Sequence, residues 1–339
     1  MKVVIASLNP AIERLLVVAR NEPGTVHRLL RSETLAGGKG VNVARVLTQL
    51  GTPGFSVAGA RVDPVDPVLV GPSGGPTGEL EEHLLAEEGL RTATMAIAGW
   101  TRTNEVLIDE SAPESATVYN APGPALTPEE VSDLEQLAAR QLSDAAFLIC
   151  TGSLPPGLDP GFYGSWIAQA RESGIPTLLD THGEALARGA AAVPTVIKVN
   201  RDELTELAAS APDAGAGTGT MRDRDATDGL IASWLESGVG AVIVTDGAHT
   251  ATAHTRITGR TMHWEFDTPE VPTRSAVGSG DAFTAGLVWS LLAEQSAGWR
   301  RHLAVAAACG ASNAAGTLAR LSPDLPPAVV IDRVIVREK

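Results

Sequence analysis

Short apolar runs alternate with helix-periodic stretches along the 339-residue chain. Residues 3–8 form a mostly apolar run that reads as a buried strand, ended by Asn9-Pro10. Between residues 13 and 34 the pattern is short, polar and strand-like around a Pro23-Gly24 turn. The period changes from Gly38, where Val43, Val46, Leu47 and Leu50 fall at i, i+3, i+4 and i+7. That stripe predicts a helix with Gly51 as its C-cap. Residues 55–58 read as a strand, 61–78 as a loop containing an insertion because of repeated Asp-Pro and Gly-Pro steps, and 79–88 as a helix. Strands follow at 95–98, 104–109 and 116–119, the last two joined as a hairpin.

Beyond residue 120 the alternation is regular. Thr127-Pro128-Glu129-Glu130 is a capping box with Pro at N1, opening a helix that runs to Leu142. Strands at 146–150, 177–180, 195–199 and 241–245 are separated by helices at 162–173, from Glu184, from Arg201 and at 227–236. Residues 211–220, rich in Gly, Ala and Thr, read as a flexible loop. Strands near Ala251 and His263 and helices after Asp281 and from Arg301 complete the chain. This pattern predicts an α/β protein with a doubly wound, mostly parallel sheet covered on both faces by helices. The strand pieces that break the alternation predict a small separate sheet, a lid. The core is assigned to 1–12, 35–92 and 121–339, and the lid to 13–34 and 93–120.

Composition narrows the partners. Apolar residues make up 44% and charged residues 19%, enough for a substantial core and unlike a disordered chain. The formal net charge of −14 argues against nucleic acid and anionic membrane, and an anionic substrate then needs locally placed cations. Of 26 basic residues only four are lysines, and the two internal ones, Lys39 and Lys198, stand in motif-like surroundings. Cys150 and Cys309 sit among small or apolar neighbours and read as reduced core thiols. No run approaches membrane-spanning length, and the N-terminus lacks the shape of a signal peptide, so a cytoplasmic protein is expected.

Six stretches carry candidate chemistry. Gly278-Ser279-Gly280-Asp281 opens an apolar helix, where unpaired amides at the positive end of the dipole make an anion site. A carboxylate there is out of place unless it takes a proton from a hydroxyl attacking the bound phosphoryl group. The other reading of Asp281 is a first-turn acid behind a glycine turn. Gly37-Gly38-Lys39-Gly40-Val41-Asn42 is not a P-loop, since no Ser or Thr follows the lysine. It either lets a ligand approach the backbone, with Lys39 and Asn42 on sugar hydroxyls or phosphate, or is a glycine turn before a helix. Arg102 is suited to a phosphate but is also an ordinary surface arginine. The 152–157 loop and Thr245-Asp246-Gly247 leave strand ends, the side on which α/β sheets bind ligands. Asn200 and Glu203 form a capping pair that could also order water around Mg²⁺. Together these stretches supply a base, an anion hole, a metal shell and cations, the parts of a phosphoryl-transfer site.

Over nearly its whole length the chain resembles the PfkB-type, ribokinase-like carbohydrate kinases. GGKGVNVARVLTQLG (37–51) and VGSGDAFTAGL (277–287) carry the resemblance, about 240 residues apart and in the family's order. SLNPAIER, TRTN, TGSLPPG, LLDTHGEAL and IKVNRDEL look most like its sugar-phosphate branch, which includes 1-phosphofructokinase and tagatose-6-phosphate kinase. The resemblance implies a ribokinase-like fold whose lid forms a homodimer, with ATP and Mg²⁺ as cofactors and a sugar phosphate as substrate. It makes Asp281 the base and the amides of Gly278, Ser279 and Gly280 the anion hole. Glu13, Gly38, Lys39, Asn42, Arg102 and Ser153 face the sugar, with Arg102 at its existing phosphate. Lys198, Asn200, Thr245 and Gly247 serve the nucleotide, and Asn200 and Glu203 hold Mg²⁺ through water. The chain departs from the branch at Glu13, where Asp is usual, at Thr250, where Gly is usual, and in the long 61–78 stretch. The implied reaction is ATP-dependent phosphorylation of a ketohexose phosphate of the fructose 1-phosphate or tagatose 6-phosphate type. The alternatives are a kinase for an unphosphorylated sugar or nucleoside, and a non-catalytic sensor on the same fold.

Overall fold

Four residues of the first strand, Val3 to Ala6, have no exposed surface, and the protein is layered around them. A computed structural model describes residues 1–55, 57, 65–112, 116–210, 220–257, 259–316 and 319–339, and of 220–224 the backbone alone. The strand β1 (Lys2–Ala6) is followed by β2 (Ala11–Val18), β3 (Arg31–Gly37), β4 (Asp66–Ser73), β5 (Arg91–Ala96), β6 (Arg102–Asp109) and β7 (Ala116–Tyr119). Then come β8 (Phe147–Thr151), β9 (Thr177–Asp180), β10 (Val196–Asn200), β11 (Ala241–Thr245), β12 (Ala251–Ile257), β13 (Arg260–Asp267) and β14 (Ile335–Glu338). The helices that cover them are α1 (Lys39–Leu50), α2 (Gly75–Glu87), α3 (Pro128–Leu142), α4 (Phe162–Glu172), α5 (Gly183–Ala190), α6 (Arg201–Ala209), α7 (Thr220–Ser237), α8 (Ser279–Ala293) and α9 (Trp299–Ala314).

Ten strands form one sheet in the order β14-β13-β12-β11-β10-β9-β8-β1-β4-β5. From β11 to β5 the pairs are parallel, and β12, β13 and β14 add antiparallel strands at one edge. Because side chains alternate across a strand, β1 sends Val3 and Ile5 into a core shared with α1, α8 and α9. Val4 and Ala6 point into the opposite core with α3 and α4. Helix α8 is buried almost all round, as expected of a helix without a polar face. It lies close on α9 because Gly286 has no side chain: a Cβ there would meet Cys309 Sγ at 2.7 Å. The thiols of Cys150 and Cys309 are free and buried.

The four remaining strands form the second sheet, β3-β2-β6-β7. It has its own small cluster of Leu15, Val17 and Val106. Two readings need correction. The start of the expected lid segment, residues 93–96, instead belongs to β5, which pairs parallel with β4 at the edge of the large sheet; an edge strand carries no mark of its partner in its own sequence. The 61–78 loop contains β4, a buried strand between β1 and β5. Its prolines, Pro67 and Pro72, lie near the two ends and leave Val68–Val70 free to pair, so they punctuate the strand without breaking it. Residues 61–64, half of the 55–58 strand and nearly all of the 211–220 loop fall outside the described residues. The short strand β14 carries too little pattern to be legible. No helix among the described residues is long and apolar enough to cross a membrane.

Candidate active site

The chain leaves β1 in one direction for β4 and β5, and in the other for β8 through β11, so β1 and β8 flank the topological switch point. Ligands of open α/β sheets bind beyond the C-terminal strand ends at such a point. A cleft of about 580 Å³ opens there, lined by Ser7, Leu8 and Asn9 after β1 and by Thr151, Gly152 and Ser153 at the end of β8. The small sheet contributes Glu13, Arg102 and Asn104, and α1 contributes Gly38, Lys39 and Asn42. Gly278 and Asp281 form the floor, and His182 and Glu203 stand on the rim.

Asp281 is buried in the first turn of α8. Asn42 Nδ2 donates to its Oδ2 at 2.8 Å, joining two motifs 239 residues apart. Burial pushes the carboxyl up to about 6 and outweighs Lys39, which pulls it down. Asp180 adds to the rise, while the Asn42 hydrogen bond and Lys198 oppose it. A carboxylate titrating near neutrality is suited to general-base work. Gly278 caps the helix in the left-handed region (φ 82°), and a Cβ there would strike Ala319 Cβ at 2.5 Å. Of the three loop amides expected to hold an anion, that of Ser279 donates to Ala276 O at 3.1 Å. Those of Gly278 and Gly280 have no partner among the described residues.

Asp180, which the motif reading did not single out, holds the site's electrostatics together. Its carboxylate has no exposed surface and receives Lys198 Nζ at 3.1 Å, Lys39 Nζ at 3.4 Å and Thr284 Oγ1 at 2.9 Å. Burial alone would raise its pKa, but the two ammonium groups and these hydrogen bonds hold it below the ordinary range. Lys39 is in turn held protonated, chiefly by Asp180 against the cost of burial, with Asp281 and Glu203 helping. Two signals were available in the sequence: the position of Asp180 at the end of an apolar strand, and its place in the LLDTHGEAL stretch.

The other expected residues divide into two groups. Glu13, Gly38, Lys39, Asn42, Arg102 and Ser153 all line the cleft. Burial raises the Glu13 carboxyl against the pull of Arg45 and Arg102. Ser153 Oγ accepts from Asn9 Nδ2 at 3.1 Å. Arg102 donates to the carbonyls of Asn9 (2.8 Å) and Ala121 (2.7 Å), so much of its fork is already occupied. Lys198, Asn200, Thr245 and Gly247 do not line this cleft. Lys198 is buried, its Nζ 3.0 Å from where a side chain on Gly280 would begin, which sets a cation beneath the loop amides. Asn200 and Glu203 complete a reciprocal capping box at α6, and Glu203 Oε1 lies 4.0 Å from Lys39 Nζ. Thr245 ends β11, and Gly247 stands exposed in the turn that follows. Thr250 donates to Asp267 Oδ1 at 2.8 Å, and its backbone is not left-handed, so that position does not require glycine.

The pfkB family carbohydrate kinase model matches residues 2–324. The chain is 32% identical over 331 residues to 1-phosphofructokinase of Rhodobacter capsulatus, covering 96% of this chain and 93% of that one. It is 31% identical over 290 residues to the 1-phosphofructokinase of Vibrio cholerae serotype O1, covering 85% and 82%. Among solved structures, it resembles phosphofructokinase-2 from Escherichia coli in complex with substrates and products, with TM-score 0.81, 25% identity and coverage of 98% and 99%. A possible 1-phosphofructokinase from Thermotoga maritima shares the fold at TM-score 0.81, with 23% identity and full coverage of both chains.

Proposed function

The chain belongs to the pfkB family of carbohydrate kinases and is a sugar-phosphate kinase, and on that premise we propose that it phosphorylates a hydroxyl of a ketohexose phosphate with ATP. Fructose 1-phosphate is the first candidate, because the relatives at 31–32% identity are 1-phosphofructokinases; tagatose 6-phosphate is the second. The observation that carries the reading is Asp281: a buried carboxylate raised to about 6, at a helix N-terminus beside unpartnered amides, on the floor of a switch-point cleft.

The sugar hydroxyl gives its proton to Asp281 as its oxygen bonds the transferred phosphorus and ADP departs. Asn42 holds the carboxylate toward the cleft. The amides of Gly278 and Gly280, with the Lys198 ammonium beneath them, face the charge that develops on the transferring group. Lys39, held by Asp180, keeps its charge over the reaction. The residues fit a nucleotide and its cation: Mg²⁺ retains most of its waters and needs only one or two protein carboxylates beside phosphate oxygens. Glu203, on the cleft rim, offers one, and Asn200 steadies it through the helix cap. Thr245 and Gly247, at the next strand end, would border the nucleotide. When bound, Mg²⁺ neutralises phosphate charge as the bond to the leaving group breaks. The small sheet would close over the sugar and pair with a second copy. Exposed Leu29, Leu30, Val118 and Tyr119 support such a contact, and the phosphofructokinase-2 relative is described in a tetrameric inhibited form.

One observation favours a second reading, a kinase for an unphosphorylated sugar or nucleoside. Among the described residues, the Lys and Arg side chains that line the cleft are Lys39, paired with Asp180, and Arg102, donating to carbonyls. ADP release measured against fructose 1-phosphate, tagatose 6-phosphate, fructose 6-phosphate, fructose, ribose and adenosine separates the two. The highest kcat/KM is expected with a ketohexose phosphate. Activity confined to the neutral acceptors refutes that assignment, and stabilisation by ligand without ADP release from any of them marks a sensor.

A further inference from the structure

Behind Asn42 lies a buried arrangement that the reaction as described does not use. Arg45, one helical turn further along α1, has 6% of its surface exposed. Its Nε and Nη2 donate to the two carboxylate oxygens of Glu88 at 2.6 and 2.7 Å. Nη2 also donates to Ala36 O at 2.9 Å, and Nη1 to Asn42 Oδ1 at 3.2 Å. Arg320 approaches Glu88 Oε2 at 3.3 Å from the far side. The guanidinium is therefore gripped as a fork by one carboxylate and presents its remaining edge to one carboxamide.

A carboxamide has two nearly isosteric ends, one acceptor and one donor, and packing alone does not choose between them. Guanidinium has five N–H donors and no acceptor, so only Asn42 Oδ1 can face it. The NH₂ end must then face Asp281. We infer that Arg45 is a positioning residue for the base: anchored by Glu88, it sets the polarity of the Asn42 carboxamide so that a donor, not an acceptor, meets the Asp281 carboxylate. The inference rests on the reading of Asp281 as the base. With Arg45 removed, Asn42 is free to turn its oxygen toward Asp281 once that carboxyl is protonated, so the neutral form gains a hydrogen-bond acceptor that Arg45 otherwise denies it and the pKa rises.

The other groups that bear on Asp281 stay in place: Lys39 on α1, Lys198 on β10 and Asp180 on β9, with Glu203 on α6 reaching it only through Lys39. Arg45 also pulls down the Glu13 carboxyl, which lines the same cleft, so the series is repeated in a Glu13→Gln background, where a shift of the limb that persists is traceable to the carboxamide. The experiment measures kcat/KM for the sugar phosphate against pH in wild type, Arg45→Met, Arg45→Lys and Glu88→Gln. Substrate ionisation is common to all four and cancels in the differences. In Arg45→Met the acidic limb is expected to move up by about one pH unit, a roughly tenfold loss of activity below the limb, with KM for ATP unchanged. Arg45→Lys restores a donor without the fork and is expected to fall between the two. Glu88→Gln keeps the shape and half the grip, so a smaller upward shift is expected even if the Arg45 variants do not fold. A limb that stays in place or moves down in the folded variants, with activity lowered equally at every pH, overturns the inference and leaves Arg45 a packing residue. Asp281→Asn in the same series tells the two failures apart. If it retains near-normal turnover the base assignment itself falls; if it is inactive while the limb stays still, only the role of Arg45 does.

Discussion

Replacing Asp281 by Asn keeps the shape of the side chain and removes its charge, and two opposite effects should follow. Burial raises the carboxyl from its ordinary 3.8 to about 6, so the native state at neutral pH carries a charge it would shed more readily than the unfolded chain. At about 1.4 kcal/mol per pH unit, ionisation costs the fold about 3 kcal/mol. The sign follows from linkage: native pKa lies above unfolded pKa, so the protonated group favours the fold, and that favour is lost as pH rises through 6. Asp281→Asn should therefore be more stable than wild type by up to about 3 kcal/mol at pH 8, or about 4 °C in Tm for a chain of this length. The difference should shrink below pH 6 to about 1 kcal/mol at pH 4.5 and vanish only below about pH 3, where the carboxyl is protonated in both states. Turnover should fall about 10²- to 10⁴-fold, the usual contribution of a general base, with ATP binding nearly unchanged. Thermal unfolding at pH 8 and 4.5, together with ADP release, checks both halves. A variant less stable than wild type at pH 8, or a stability difference independent of pH, refutes the picture of a desolvated charge; near-normal turnover refutes the base.

Other consequences follow from the same network. Lys39→Met removes the cation that most opposes the rise of Asp281, so the acidic limb of kcat/KM should move above pH 6 by about one unit; a pH–rate profile with an unmoved limb contradicts it. Asp180→Asn leaves Lys198 buried without its counter-ion and should destabilise the fold by about 3–5 kcal/mol, read from denaturant midpoints; a loss below about 1 kcal/mol would mean that water reaches the ammonium. Arg102→Ala should raise KM for a ketohexose phosphate about tenfold or more, the value of one charge-assisted hydrogen bond, while KM for the unphosphorylated sugar stays put. Equal changes in both would assign Arg102 to holding the Asn9 and Ala121 carbonyls rather than a phosphate.

Much of this molecule was legible before any coordinates. The helix after Gly38, the capping boxes at Thr127 and Asn200 and the strands of the regular half depend on neighbours within a few residues. Periodicity and capping chemistry report them directly, and the structure has them where expected. The glycine–aspartate loop at 278–281 was visible for the same reason. The readings that changed depended on partners far away in sequence. β4 forms despite its prolines because β1 and β5 flank it, and β5 joins the large sheet because β4 offers an edge.

The site divides along the same line. By itself the sequence specified an α/β protein with an acid at a helix N-terminus, a glycine–lysine motif, and loops on the ligand side of the sheet, because each of these is a local chemical pattern. Only the tertiary structure decided which charges meet. Asp180 takes both internal lysines, Asn42 reaches Asp281 across 239 residues, and the Ser279 amide is occupied by Ala276. Burial is likewise a property of the packed chain, and it is burial that lifts the acid of a local motif, the proposed base, to a pKa of about 6.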